Sequence, residues 1–158
     1  PPDLTHVVEQ AGWPASGQAW DTRPYEGLLA SVSAGRDFAF RLTANPTVST
    51  RVKGREHSQR LGHVTTSQQL RWLLDRADGW GFAVPETPRG PAAAVVSRAV
   101  RRFRRGSDWV TLATATFEGQ LRVADAQTFR QALVGGLGPG KAYGCGLLTL
   151  APVAGGVT

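Results

Sequence analysis

Two stretches of this chain hold the residues best suited to chemistry. "GGLGPGKAYGCG" (135–146) sets Gly135, Gly136, Gly138, Gly140, Gly144 and Gly146 around one lysine, Lys141, and one tyrosine, Tyr143. "RAVRRFRR" (98–105) holds Arg98, Arg101, Arg102, Arg104 and Arg105 with no acid among them. Both stretches point to an anionic ligand. Glycines let backbone amides approach a ligand closely, and successive amides form a concavity for phosphate in which a lysine adds a point charge. The planar fork of arginine matches phosphate oxygens, and several forks on one protruding arm suit a nucleic-acid groove. Each stretch also has a plainer reading, a flexible connection for the glycines and a solvated hairpin for the arginines.

The glycine stretch is not a nucleotide-hydrolysing P-loop. Gly135 to Lys141 fits G-x-x-x-x-G-K, but Ala142 stands where the magnesium-binding hydroxyl belongs. The order of elements is also reversed, because a P-loop follows a strand and opens a helix, whereas this loop follows a helical pattern and opens a strand.

A second basic stretch, "RVKGREHSQR" (51–60), adds Arg51, Lys53, Arg55 and Arg60 against one glutamate. It has no periodicity, which predicts a loop ordered by its ligand. His6, His57 and His63 are the only imidazoles. The latter two lie in or beside the basic loop, where a histidine is either a general acid or base near a phosphate or a surface bystander. No paired carboxylates or metal-ligand spacings stand out, so neither a metal nor a cofactor is expected. One cysteine, Cys145, rules out an intramolecular disulfide and makes a reducing, cytoplasmic setting the default.

The elements that must position these groups follow from periodicity. Lys and Arg number 18 against 12 acids, a net charge of +6, on 158 residues, which is one full domain and a fragment. No apolar run reaches the length of a membrane span. In "RDFAFRLTANP", Phe38, Phe40 and Leu42 alternate with Ala39, Arg41 and Thr43, the period of a half-buried strand that Asn45-Pro46 ends. "TSQQLRWLLDRADG" carries Leu70, Leu73, Leu74 and Ala77 at helical spacing, with a capping box of Thr66 and Gln69 and a stop at Gly79. "WGFAV" reads as a short strand and "ETPRGP" as a turn. "AAAVVSRAVRRFRR" is an extended basic arm turned at Gly106-Ser107-Asp108, with "WVTLATATF" running back. On that arm Arg98, Arg102 and Arg104 project to one side, and Arg101 and Arg105 to the other with Phe103.

Glu118-Gly119 reads as a tight turn into "QLRVAD". Asp125 caps a helix that places Phe129 and Leu133 on one face, Gly135-Gly136 stop it, and "LLTLAP" is the last strand. From residue 36 this is a βαββαβ order, an α+β, ferredoxin-like (RRM-like) domain with an added basic β-hairpin. It spans 36–152 and leaves 153–158 as a tail. Residues 1–35, read as one or two short strands with long connections, look like the remnant of something preceding.

Specific strings then carry a resemblance. "FRLTANP" (40–46), "TFEGQLRVAD" (116–125) and above all "GLGPGKAYGCGLLTLAP" (136–152) resemble the CasE family, the CRISPR repeat-RNA endoribonuclease of the type I-E Cascade complex. The resemblance implies two tandem ferredoxin-like domains, of which 36–152 is the second and 1–35 the remnant of the first. It implies binding of the repeat stem-loop and metal-independent cleavage at its 3′ base by a ribose 2′-hydroxyl, leaving a 2′,3′-cyclic phosphate. The processed CRISPR RNA is then kept in Cascade with the other subunits.

Carried over by position, the family's glycine-rich loop is Gly136, Gly138, Gly140, Lys141, Gly144 and Gly146. Its RNA-groove hairpin is Arg98 to Arg105. The family's general acid/base histidine belongs to a segment that nothing here matches. A chain without methionine that opens on Pro1-Pro2 is therefore expected to lack its N-terminal part, catalytic histidine included. The alternative function is a non-catalytic RNA-binding scaffold.

Overall fold

The computed structural model describes residues 5–10, 23–50, 59–62 and 65–153, in two compact units, Pro1–Ser31 and Val32–Thr158. Among its described residues the first unit has two short helices, α1 (Thr5–Gln10) and α2 (Glu26–Ser31), where one or two short strands with long connections were expected. In α2, "EGLLAS" is rich in helix formers, and Glu26 in the first turn meets the positive end of the helix dipole.

The second unit is built on a sheet of order β4-β8-β1-β9, antiparallel throughout. Its strands are β1 (Asp37–Ala44), β4 (Phe82–Ala83), β8 (Asp108–Val123) and β9 (Leu148–Pro152). A 13-residue strand, β7 (Ala93–Arg105), joins β8 on the edge that β4 also occupies. Helices α3 (Thr66–Ala77) and α4 (Ala126–Gly135) connect the strands, and this is the ferredoxin-like order expected. Two small hairpins decorate it, β2 (Thr47–Thr50) with β3 (Gln59–Gly62) and β5 (Glu86–Thr87) with β6 (Gly90–Pro91).

Alternation decides which face is buried. Phe38, Phe40, Leu42 and Ala44 of β1 point into the core while Arg41 stays exposed. Trp72 and Leu73 of α3 and Phe129 and Leu133 of α4 cover the same face. Trp72 stacks on Phe117 with centroids 6.3 Å apart, and Phe82 meets Phe40 at 6.4 Å and Phe129 at 5.6 Å. Burying each of these rings contributes about 2–3 kcal/mol. The opposite face carries the ion pairs Arg41 to Glu118 and Arg122 to Asp37.

Three expectations need correction. The capping box of α3 is Thr65 with Gln68, one residue before the expected pair, so that Gln69 turns inward and is buried. The helix runs on into a 3-10 turn, Asp78–Trp80, and closes at Gly81 (φ 82°) rather than Gly79. Most consequential, Glu118-Gly119 is not a turn: β8 is one unbroken strand of 16 residues. The glycine is needed there because the chain entering β7 crosses it. The Gln120 N–H donates to Ala92 O at 2.8 Å, and a Cβ on Gly119 would fall 2.1 Å from that oxygen.

Two expectations hold in detail. Asp125 caps α4, its carboxylate accepting from the Gln127 and Thr128 N–H groups at 2.8 and 3.1 Å, which holds its pKa below the ordinary carboxylate value. Gly136 ends α4 with φ 72°. Among the described residues no helix is long and apolar enough to cross a membrane.

Candidate nucleic-acid interface

The arginines lie where the alternation put them. In the β7–β8 ladder Arg98 pairs with Ala115, Arg101 with Leu112, Arg102 with Thr111, Arg104 with Trp109 and Arg105 with Asp108. All five side chains are exposed. β8 continues past the end of β1, whose last partner is Ala115, so residues 108–114 and their β7 partners extend beyond the body of the sheet. Among the described residues Arg101, Arg102, Arg104 and Arg105 have no carboxylate partner, while Arg41 and Arg122 on the sheet do.

The hairpin's free edge is anchored by one side chain. Where β1 stops, buried Asn45 accepts a hydrogen bond from the Ala113 N–H through Oδ1 at 3.3 Å, replacing the missing strand partner. Pro46 follows and is fully buried.

The glycine-rich loop is held by backbone hydrogen bonds at both ends. The Leu137 N–H donates to Gly146 O at 2.8 Å, and the Gly146 N–H donates to Thr43 O at 2.8 Å, closing the loop and tying it to β1. Gly136, Gly138, Gly140, Gly144 and Gly146 all have φ between 72° and 90°. Gly138 adds a steric demand, since a Cβ there would sit 2.9 Å from the Trp72 ring. Cys145 is buried in the loop, and desolvation pushes its thiol pKa up, away from reactivity.

Between Gly140 and Gly144 the chain forms a 3-10 turn, Lys141–Tyr143. Among the described residues the N–H groups of Gly140, Lys141 and Ala142 make no backbone hydrogen bond, and the left-handed Gly140 preceding the turn is the geometry of an anion-binding nest. Lys141 is exposed, with its stem over Gly136.

Loop and hairpin, separate in the sequence, meet in the fold. Phe103 meets Tyr143 edge-on at 5.2 Å, and the Arg105 guanidinium donates to the Tyr143 hydroxyl at 3.5 Å. Beside this junction opens a cleft of about 490 Å³ lined by Pro139, Gly140 and Tyr143 on the loop, Asn45 and Thr47 after β1, and Thr111 on β8. Sequence reasoning missed Asn45 and Trp109. The ring of Trp109 is approached by Arg102 at 4.5 Å and Arg104 at 5.6 Å, and its pairing across the hairpin was the available signal.

Arg51, Lys53, Arg55, His57 and His63 lie outside the described residues, and Arg60 lies on β3, paired with Ser49. His6 is exposed on α1. Among the described residues no group of three or more His, Cys, Asp or Glu is placed to hold a metal ion.

Known proteins are similar to this chain in sequence and fold. The chain is 31% identical over 141 residues to the CRISPR-associated endoribonuclease Cse3 of Thermus thermophilus, covering 85% of this chain and 64% of that protein. It is 28% identical to the CRISPR system Cascade subunit CasE of Escherichia coli, covering 96% of this chain and 77% of that one. The chain thus spans just under two thirds of the Thermus relative. Among solved structures, Thermus thermophilus Cse3 bound to an RNA representing a pre-cleavage complex superposes with a TM-score of 0.69 at 33% identity, over 77% of this chain and 56% of that one. A family model described as CRISPR associated protein matches residues 1–152, and the chain belongs to that family.

Proposed function

We propose that this chain is the RNA-gripping part of a CRISPR repeat-RNA endoribonuclease of the CasE kind. The observation that carries the reading is the junction of Phe103 and Arg105 with Tyr143, which joins the arginine hairpin and the glycine loop into one cationic surface. Arg98, Arg101, Arg102, Arg104 and Arg105 bind phosphates of the repeat stem, and the loop from Gly136 to Gly146 binds the RNA backbone through its free amides and Lys141. A-form RNA has a deep, narrow major groove, so phosphate and shape contacts outweigh base reading. Tyr143, and Arg51, Lys53, Arg55 and Arg60 from the basic loop, add contacts at the margin.

In the intact protein the reaction needs no metal. A ribose 2′-hydroxyl attacks the adjacent phosphate at the 3′ base of the stem, the 5′-oxygen leaves, and a 2′,3′-cyclic phosphate remains. The histidine that moves the proton lies outside the domain formed by residues 36–152. The product CRISPR RNA stays bound, and the protein serves as a cytoplasmic Cascade subunit beside the others. The similarity to proteins named endoribonuclease and Cascade subunit supports this reading.

Incubating the chain in EDTA with a stem-loop repeat RNA, with binding and cleavage scored on one gel, tests it. Binding without cleavage is the expected result, and absence of binding overturns the proposal. Cleavage in EDTA assigns the chemistry to an imidazole of this chain, His57 or His63 first. A non-catalytic scaffold differs in one respect: joined to the N-terminal segment of a CasE relative, it would still leave the RNA uncut.

A further inference from the structure

Trp109 is the second residue of β8, at the hairpin tip, and is 56% exposed, a large apolar ring outside the core. Its ladder partner is Arg104, and Arg102 lies two pairs further along opposite Thr111. The three side chains therefore share one face of the hairpin. Both guanidiniums sit over the one indole, 4.5 and 5.6 Å from its centroid. The acid nearest in sequence, Asp108, pairs with Arg105 and so projects from the other face.

Two like charges two residues apart on one face repel, and in the absence of a carboxylate they would separate and sample many rotamers. The negative face of the indole gives each a seat. Residues two apart on a strand are about 6.7 Å apart, of the order of one nucleotide step along a polynucleotide. We propose that Trp109 is a positioning residue that presets Arg102 and Arg104 as a pair gripping successive phosphates of one RNA strand. This rests on the RNA-binding reading above.

The pair stays charged without the indole, so removing the ring costs affinity but not ionic contacts. Trp109→Leu is therefore expected to weaken stem-loop binding about tenfold with the slope of log K against log salt unchanged. Trp109→Phe, which keeps a ring face, recovers most of the loss. On an Arg102→Ala, Arg104→Ala background Trp109→Leu has almost no further effect. In the RNA-free protein, NMR is expected to show the side-chain δ-protons of Arg102 and Arg104 shifted upfield by the ring current, and Trp109→Leu to abolish that shift.

Full additivity on the arginine-free background would mean that the indole contacts RNA by itself, and would overturn the positioning role. Unchanged affinity of Trp109→Leu, or δ-protons at ordinary positions in the unsubstituted protein, would overturn it too. If the ring-current shifts are present but the unsubstituted chain binds no stem-loop RNA, it is the RNA reading that fails, and the phosphate role of the pair fails with it.

Discussion

Phe103 and Tyr143, on elements far apart in the chain, meet edge-on with ring centroids 5.2 Å apart. That pairing turns a basic hairpin and a glycine loop into one surface, and it separates two roles of Tyr143. Tyr143→Ala removes the ring pair and lowers stability by about 1 kcal/mol, roughly 3 °C in Tm. Tyr143→Phe keeps the ring, loses only the bond from Arg105, and leaves Tm unchanged. Thermal scans of the two variants check this.

Arg102→Ala combined with Arg104→Ala leaves the fold intact, because both side chains are exposed. It weakens stem-loop binding and reduces the salt slope by roughly 1.5–2, one increment for each phosphate no longer neutralised. Titrations at four salt concentrations measure it. An unaltered slope would remove these arginines from the interface.

Gly138 and Gly144 share a positive φ but differ in surroundings, which predicts a ranking. Gly144→Ala meets nothing within 4 Å and costs only the left-handed backbone penalty, about 1 kcal/mol. Gly138→Ala must also displace the Trp72 ring, 2.9 Å from the new Cβ, and costs about 2–4 kcal/mol. Urea unfolding of both variants gives the order directly.

Asp125 and Asp37 predict the acid limb of stability. Backbone and side-chain hydrogen bonds from Thr128 lower the Asp125 pKa, and the Arg122 side-chain bond lowers that of Asp37, both from an ordinary value of 3.8. A carboxyl with a depressed folded-state pKa contributes stability that is complete above its unfolded value and is lost as pH falls through the folded one. Stability therefore drops below about pH 4. Asp125→Asn, which keeps a capping oxygen, has a shallower acid limb than the unsubstituted chain in denaturation curves at pH 3 and pH 6.

Legibility in the sequence depends on whether the deciding interaction is local. The period-two run from Phe38 to Leu42 and the Asp125 cap are written in neighbouring residues, and both elements form as the pattern predicts. Glu118-Gly119 misleads because a glycine that must admit the Ala92 carbonyl looks, in sequence, like a glycine that turns the chain. The same holds for the site. Five arginines announce themselves by type and spacing, but the seat that Trp109 provides depends on cross-strand register. Asn45 reads as a strand terminator, which it is, yet its bond to the Ala113 N–H joins segments that only the folded sheet brings together.

The absence of a break at Gly119 has a mechanical consequence. One strand runs from the core residues Val123 and Leu121 to Asp108 at the tip, about 50 Å at the usual rise. The arginines thus stand on a beam clamped in the aromatic core rather than on an arm hinged at its root. On the proposed reading, an RNA stem docking on that tip would have little chain motion to freeze, and a load on the stem would pass straight to the sheet beneath.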